Sequence, residues 1–169
     1  MMKKTHIFMA ILTVFCTFFG TAQAMPLASQ ALADKSDQVV VFYDDQGQEI
    51  ARFGAVFGQV AGPKTRQGDL KTPEGDYMLD PGRPSAEWEW FMPIDYPNAA
   101  DKARARAEGR PLTSLGNHIG MHSVGDGFLR GIRQSFGENW TWGCIAVHES
   151  DMRDIRQMVT TKIPMRIQP

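Results

Sequence analysis

Short β-branched and aromatic runs, broken every few residues by glycine, proline or aspartate, recur along this chain from Val39 onward and direct it toward a β-rich fold. Val39 to Tyr43 is the first such run. Asp44-Asp45-Gln46-Gly47 carries turn chemistry, and Glu49 to Phe57 alternates around Ile50, Phe53 and Val56, so an opening β-hairpin is expected. Gly58 to Gly75, punctuated by Gly62-Pro63, Gly68-Asp69 and Pro73-Glu74-Gly75, predicts a structured loop, and Tyr77 to Leu79 a further strand. Pro81 to Pro97 mixes prolines with Trp88, Trp90, Phe91 and Tyr96. That tract is too aromatic for a disordered linker and too broken for a helix, which suits packing over the sheet or walling a cleft.

Helical signals are few. Asn98 and Asp101 resemble a capping box, alanines follow, and Gly109 before Pro111 is a stop, which predicts a short exposed helix. Ser150 offers an N-cap, Asp151 and Asp154 suit the first turn, and Met152, Ile155, Met158 and Val159 share one face that should pack on the sheet. His118 to Val124, Ile145 to Val147 and Lys162 to Ile167 read as strands, and Phe128 to Asn139 as a loop with a few apolar anchors. No internal repeat or domain boundary interrupts the series.

The first residues carry two lysines, an apolar run follows from Ile7 to Gly20, and Ala22-Gln23-Ala24 supplies small residues at the cleavage positions. Residues 1–24 are therefore expected to be a cleaved secretory signal peptide, and the protein to work in the periplasm or cell envelope without a membrane span. Bulky Phe15 before Cys16 argues against lipid attachment there. Residues 25–37 are small and polar and predict a flexible segment, leaving 38–169 as one domain of a size that buries a core without disulfides. The whole chain has a formal net charge of −1, and it becomes more acidic once Lys3 and Lys4 are lost. With no long basic run, nucleic acid is not an expected partner.

Of two cysteines, only Cys144 outlasts the signal peptide, so no internal disulfide is available. A lone cysteine is either a small buried hydrophobe or a reactive thiol, and its neighbours decide. In Trp140-Thr141-Trp142-Gly143-Cys144-Ile145-Ala146-Val147 the thiol follows a glycine, which permits close backbone approach. The amides of Gly143 and Cys144 become candidate oxyanion donors. A free thiol ionises near about 8.5, so an amide-cleaving cysteine needs an imidazole beside it. His6 leaves with the signal and His148 lies awkwardly close to Cys144 along one strand, which leaves His118 and His122, on one strand face with Gly120 between them.

The ordered series resembles the YkuD-type L,D-transpeptidase family. Its signature is a histidine ending an apolar strand, a variable loop, and then Ser/Thr-His-Gly-Cys followed by an apolar residue. The counterparts are Ile119-Gly120-Met121-His122-Ser123 and Thr141-Trp142-Gly143-Cys144-Ile145. Gly62-Pro63-Lys64, the stretch Gly68 to Tyr77, and Ile94-Asp95-Tyr96-Pro97-Asn98 with Asp101 extend the likeness over nearly all of the chain beyond the leader. The resemblance implies a mainly β, β-rich α+β domain, a YkuD-like β-sandwich with a few short peripheral helices. It further implies Cys144 as nucleophile, His122 as general base, and a thioester formed on peptidoglycan stem peptides with loss of D-alanine, without cofactor or metal. An amine acceptor on a second stem peptide or an envelope protein would make the enzyme a transferase. Water would make it an L,D-carboxypeptidase or endopeptidase.

Three positions depart from the commoner signature: Trp142 stands for histidine, Ala146 for arginine or asparagine, and Ser123 for glycine. Arg130 and Arg133 are candidates to grip a peptide carboxylate in place of the missing arginine, and Ser123, Thr141 and Trp142 are further candidates to touch substrate. Either His118 or a backbone carbonyl would orient His122. Two other classes compete, a zinc hydrolase built on His118, His122 and either Cys144 or His148, and a non-catalytic envelope-binding module, for which Trp142 and Ala146 argue. Oligomeric state is not legible in the sequence.

Overall fold

The computed structural model describes residues 25–125 and 128–169, and the expected signal peptide, residues 1–24, lies outside them. The strands are β1 (Gln30–Asp34), β2 (Val39–Tyr43), β3 (Glu49–Val56), β4 (Gly75–Leu79), β5 (Arg83–Ser85), β6 (Glu89–Pro93), β7 (Gly120–Ser123), β8 (Ile145–Val147) and β9 (Ile163–Gln168). Three helices accompany them, α1 (Ala99–Ala107), α2 (Phe128–Ser135) and α3 (Glu149–Met158). The strands form one sheet in the order β4-β9-β1-β2-β3-β8-β7-β6-β5. No helix among the described residues is long and apolar enough to cross a membrane.

β3 joins the two halves of the sheet. Its first part pairs antiparallel with β2 as far as Gly54, and its last two residues, Ala55 and Val56, pair with β8. On the far side Leu79 bridges Ile94, the Asp80 amide donates to the Pro93 carbonyl at 2.9 Å and the Asp95 amide to the Met78 carbonyl at 3.2 Å. The sheet therefore curls until its two halves face each other, which gives the mainly β fold its layered form.

Period-two alternation fills the space between them. Ala31 and Ala33 of β1, Val40 and Phe42 of β2, Met121 of β7, Ile145 and Val147 of β8, and Ile163, Met165 and Ile167 of β9 all enter one buried cluster. α3 adds Met152, Ile155 and Met158, each contributing on the order of 1.5–3 kcal/mol by burial. α1 starts as its sequence predicts, with the Asn98 side chain accepting from the Ala100 and Asp101 amides and Asp101 accepting from the Asn98 amide.

Several expectations are corrected. Residues 25–37 are not a loose tether, because β1 lies inside the sheet, antiparallel to β2 and parallel to β9. Alanine is a poor strand former alone, and pairing on both edges overrides that preference. Residues 128–135, read as loop, form α2 despite the interior Gly131. The N-cap of α3 is His148 rather than Ser150, so the helix begins earlier than expected and Ser150 lies inside its first turn. The tract from Pro81 to Pro97 contributes β6, paired with β7, and β5, the edge strand beyond it.

Candidate active site

Parallel strands β7 and β8 make the floor of the site, with Met121 opposite Ile145, His122 opposite Ala146 and Ser123 opposite Val147. Because Met121, Ile145 and Val147 point into the main core, His122 and Ala146 point to the other face. There Ala146 joins a second cluster of Val56, Val124 and Trp140, with Trp88 packed against it. Cys144 lies two residues before Ala146, hence on that same face and diagonal to His122. Both line a cavity of ≈ 400 Å³ with Glu87, Trp88, Arg130, Trp140, Thr141 and Trp142.

His122 is buried, and its Nδ1 sits 2.7 Å from the Ser123 carbonyl oxygen. A carbonyl only accepts, so Nδ1 carries the proton and the lone pair of the neutral ring is on Nε2. Trp88 stacks on the imidazole with centroids 4.0 Å apart and planes at 29°, while Trp140 meets it edge-on at 6.0 Å. Burial lowers the pKa of His122 to about 4, against the opposing pull of the Ser123 carbonyl and with help from the Arg130 charge.

Cys144 is a free, half-buried thiol whose Sγ lies 3.6 Å from the His118 carbonyl. Burial pushes the thiol up, the Gly120 amide and the Lys64 charge oppose that, and Glu87 adds to it. Burial thus favours the neutral form of both the thiol and the imidazole.

The turn that carries the sulfur is clamped from within. Thr141 Oγ1 donates to the Cys144 carbonyl at 2.7 Å and accepts from the Gly143 amide at 3.1 Å. The Gly143 N–H is thereby occupied, which corrects its assignment as an oxyanion donor and leaves the Cys144 amide as the candidate. Gly143 itself has φ +131, and a Cβ there would come within 2.6 Å of the Lys71 carbonyl. Glycine is required by the protein's own loop rather than by an approaching substrate. That loop, residues 58–75, is fixed by a buried ion pair between Lys64 and Asp69 at 2.8 Å, and Asp69 also accepts from the Thr65 and Arg66 amides at 2.7 and 2.9 Å. Burial alone would raise the Asp69 carboxyl, yet these partners outweigh it and hold the group below its ordinary range.

A profile of the L,D-transpeptidase catalytic domain, YkuD, matches residues 28–167. The chain belongs to the YkuD family. No curated protein matches it at a significant level. Among solved structures it is similar to Pgp2, the helical cell shape determining protein of Campylobacter jejuni, with 21% identity and a TM-score of 0.67 over 88% of this chain and 52% of that one. Bd1075 of Bdellovibrio bacteriovorus gives 19% identity and a TM-score of 0.59 over 86% and 51%. An L,D-transpeptidase of Mycobacterium tuberculosis H37Rv gives 16% and 0.55 over 84% and 58%. The chain spans about half the length of Pgp2 and Bd1075, and at these identities the likeness is one of fold.

Within this YkuD domain the other expected residues are distributed unevenly around the sulfur. His118 precedes β7 in a left-handed conformation, φ 58, with its exposed ring beside Asn117 Oδ1 at 2.5 Å. It therefore shares no strand face with His122, and the Ser123 carbonyl orients the imidazole in its place. His118 does line two more clefts that reach Cys144, one with Arg83, Phe91 and Trp88, the other with Lys64, Gln67, Asn117 and Trp142. Trp142 is 78% exposed and borders both that last cleft and the main cavity. Ser123 is fully buried, so it is corrected from a substrate contact to an internal one, its Oγ donating to the Trp88 carbonyl at 2.5 Å. Thr141 is likewise buried and bonds within its own turn, although it also borders the main cavity.

Arg130 lines the main cavity, lying over the Trp88 ring at 4.6 Å. Arg133 pairs with Glu138 at 2.9 Å and does not line it, which removes Arg133 from the carboxylate-gripping candidates. His148 is exposed at the start of α3, and among the described residues no three His, Cys, Asp or Glu side chains gather as a metal set. The donors of the zinc reading are not assembled. The sequence reading missed the contacts of Trp140, Glu87 and buried Gln134, whose Nε2 donates to the Ala146 carbonyl at 3.0 Å and whose Oε1 accepts from Trp140 Nε1 at 3.2 Å. The aromatic density of Pro81 to Pro97 was the signal for Trp88, but nothing in its spacing points to His122.

Proposed function

We propose that this YkuD domain is an exported cysteine L,D-transpeptidase acting on peptidoglycan stem peptides, with Cys144 as nucleophile and His122 as general base. What supports this most is that His122 of β7 and Cys144, the residue before β8, line one cavity, with the imidazole tautomer that leaves the lone pair on Nε2. Export rests on the composition of residues 1–24.

In this reading His122 Nε2 takes the Cys144 proton as sulfur attacks the carbonyl carbon of a diamino-acid residue. The Cys144 amide faces the developing oxyanion. As the tetrahedral species collapses, the carbon–nitrogen bond to D-alanine breaks, the departing amine takes the proton from His122, and a thioester remains on sulfur. An incoming amine then repeats the steps in reverse and restores the thiol. The cleft beyond Trp142, of ≈ 210 Å³, reaches Cys144 from another side than the main cavity and would be the approach of such an amine. Thiol and imidazole supply nucleophile and base, so the reaction calls for no cofactor.

Incubation with a defined tetrapeptide muropeptide, followed by intact-protein mass spectrometry, tests this. A mass gain equal to the acyl group less D-alanine is expected on the wild type and none on Cys144→Ala. Turnover by Cys144→Ala would end the thiol mechanism. Cross-linked products are expected when a second muropeptide is supplied. Release of D-alanine or of monomers alone would assign water as the acceptor.

A further inference from the structure

We propose that Trp88 is the positioning residue of His122, held as the middle layer of an Arg130–Trp88–His122 stack that fixes the plane of the imidazole for proton transfer with Cys144. The inference rests on the cysteine–histidine reading above and adds to it what aims the base.

One hydrogen bond at Nδ1 anchors an imidazole at a point but leaves its tilt free, whereas a proton acceptor must keep Nε2 directed at one sulfur. A face contact supplies the missing constraint. Trp88 provides it at 4.0 Å and 29°, and Trp140 closes a second side edge-on at 6.0 Å. Trp88 is held in turn. Its carbonyl accepts from Ser123 Oγ at 2.5 Å and from the Trp90 amide at 2.6 Å, and the Arg130 guanidinium lies over its ring at 4.6 Å with Glu87 Oε1 at 4.0 Å from Arg130.

Ser123 thus serves both rings. Its carbonyl accepts from the Nδ1–H of His122 while its hydroxyl donates to the Trp88 carbonyl, so one residue holds both His122 and Trp88. Glycine, the frequent residue at this position in the family signature, has no hydroxyl with which to do this. Among the described residues, the charged and titratable groups that share the cavity with the stack are Arg130 from α2, Glu87 from the segment before β6, and Cys144 before β8.

The test compares Trp88→Leu, Trp88→Phe, Ser123→Ala and His122→Asn in three measurements: the pH dependence of Cys144 alkylation by iodoacetamide, the NMR shifts of the His122 ring, and steady-state turnover of a tetrapeptide muropeptide. With the indole in place, the His122 ring protons resonate upfield through its ring current. That displacement should vanish in Trp88→Leu and persist in part in Trp88→Phe. Trp88→Leu should lower kcat by about 10- to 100-fold with KM changed less than about 3-fold, Trp88→Phe should recover most of the loss, and Ser123→Ala should fall between. Because the Trp90 amide still holds the Trp88 carbonyl in Ser123→Ala, that variant tests the device even where Trp88→Leu does not fold. If His122→Asn alters alkylation while Trp88→Leu and Ser123→Ala do not alter alkylation or kcat, the positioning role of Trp88 is overturned and the catalytic pair stands. If His122→Asn itself leaves alkylation unchanged, the pair falls and the inference with it.

Discussion

Ala146 has no accessible surface and sits under the site against Val56, Val124 and Trp140, opposite His122 across the β7–β8 ladder. The longer polar residue of the commoner family signature has no room in that packing. Ala146→Arg should therefore cost about 3 kcal/mol or more, through overpacking and an unpaired buried charge, and a urea midpoint equal to that of the wild type would refute it. His122 permits a prediction with a definite sign. In the proposed mechanism its neutral form is the base, and its pKa is lowered to about 4, so alkylation of Cys144 should fall as pH drops through about 4, not through the ordinary imidazole value of 6.5. Arg130→Gln removes a charge that disfavours the imidazolium, so the same titration should move upward. A downward or null shift in Arg130→Gln would show that this charge does not act on the ring.

At the scale of elements, the loop of residues 58–75 is as much a part of the site as the strands, because it brings the Lys71 carbonyl against Gly143. Asp69 holds that loop through Lys64 and the Thr65, Arg66 and Lys71 amides. Asp69→Ala leaves Lys64 buried and unpaired, and a loss of about 3–5 kcal/mol is expected in denaturant unfolding, together with slower Cys144 alkylation. Unchanged values in both measurements would make the loop a bystander. Its existence was legible in the glycine and proline punctuation, as were β2, β3 and the buried face of α3 in their alternation and helical spacing. β1 and α2 were not, since Gln30–Asp34 is alanine-rich and gains its strand only from partners distant in sequence, and α2 hides its helix behind Gly131 and flanking loop chemistry. Cys144 and His122, which line one cavity, could be named from residue types, but the ring stacked on His122 could not. Trp88 reaches His122 only because β6 is the antiparallel neighbour of β7.

For the molecule as a whole, burying His122 ties stability to pH in a window that other groups leave largely clear. The folded pKa of about 4 lies below the ordinary value of 6.5, so as pH falls below 6.5 the unfolded chain takes up a proton that the folded chain refuses. Stability is therefore fully present above about 6.5 and declines down to about 4, by about 3 kcal/mol in total. Asp34 and Asp69 are held below the ordinary 3.8, so their stabilising contribution is lost mainly at lower pH and adds little slope between 6.5 and 5. His122→Asn keeps a polar group of similar reach without a titrating ring, and its urea midpoints between pH 7 and 5 should be nearly level while those of the wild type fall. An equal slope in both proteins would place the proton uptake at another residue. It would also remove the argument that the base is kept neutral by the same burial that holds it in the fold.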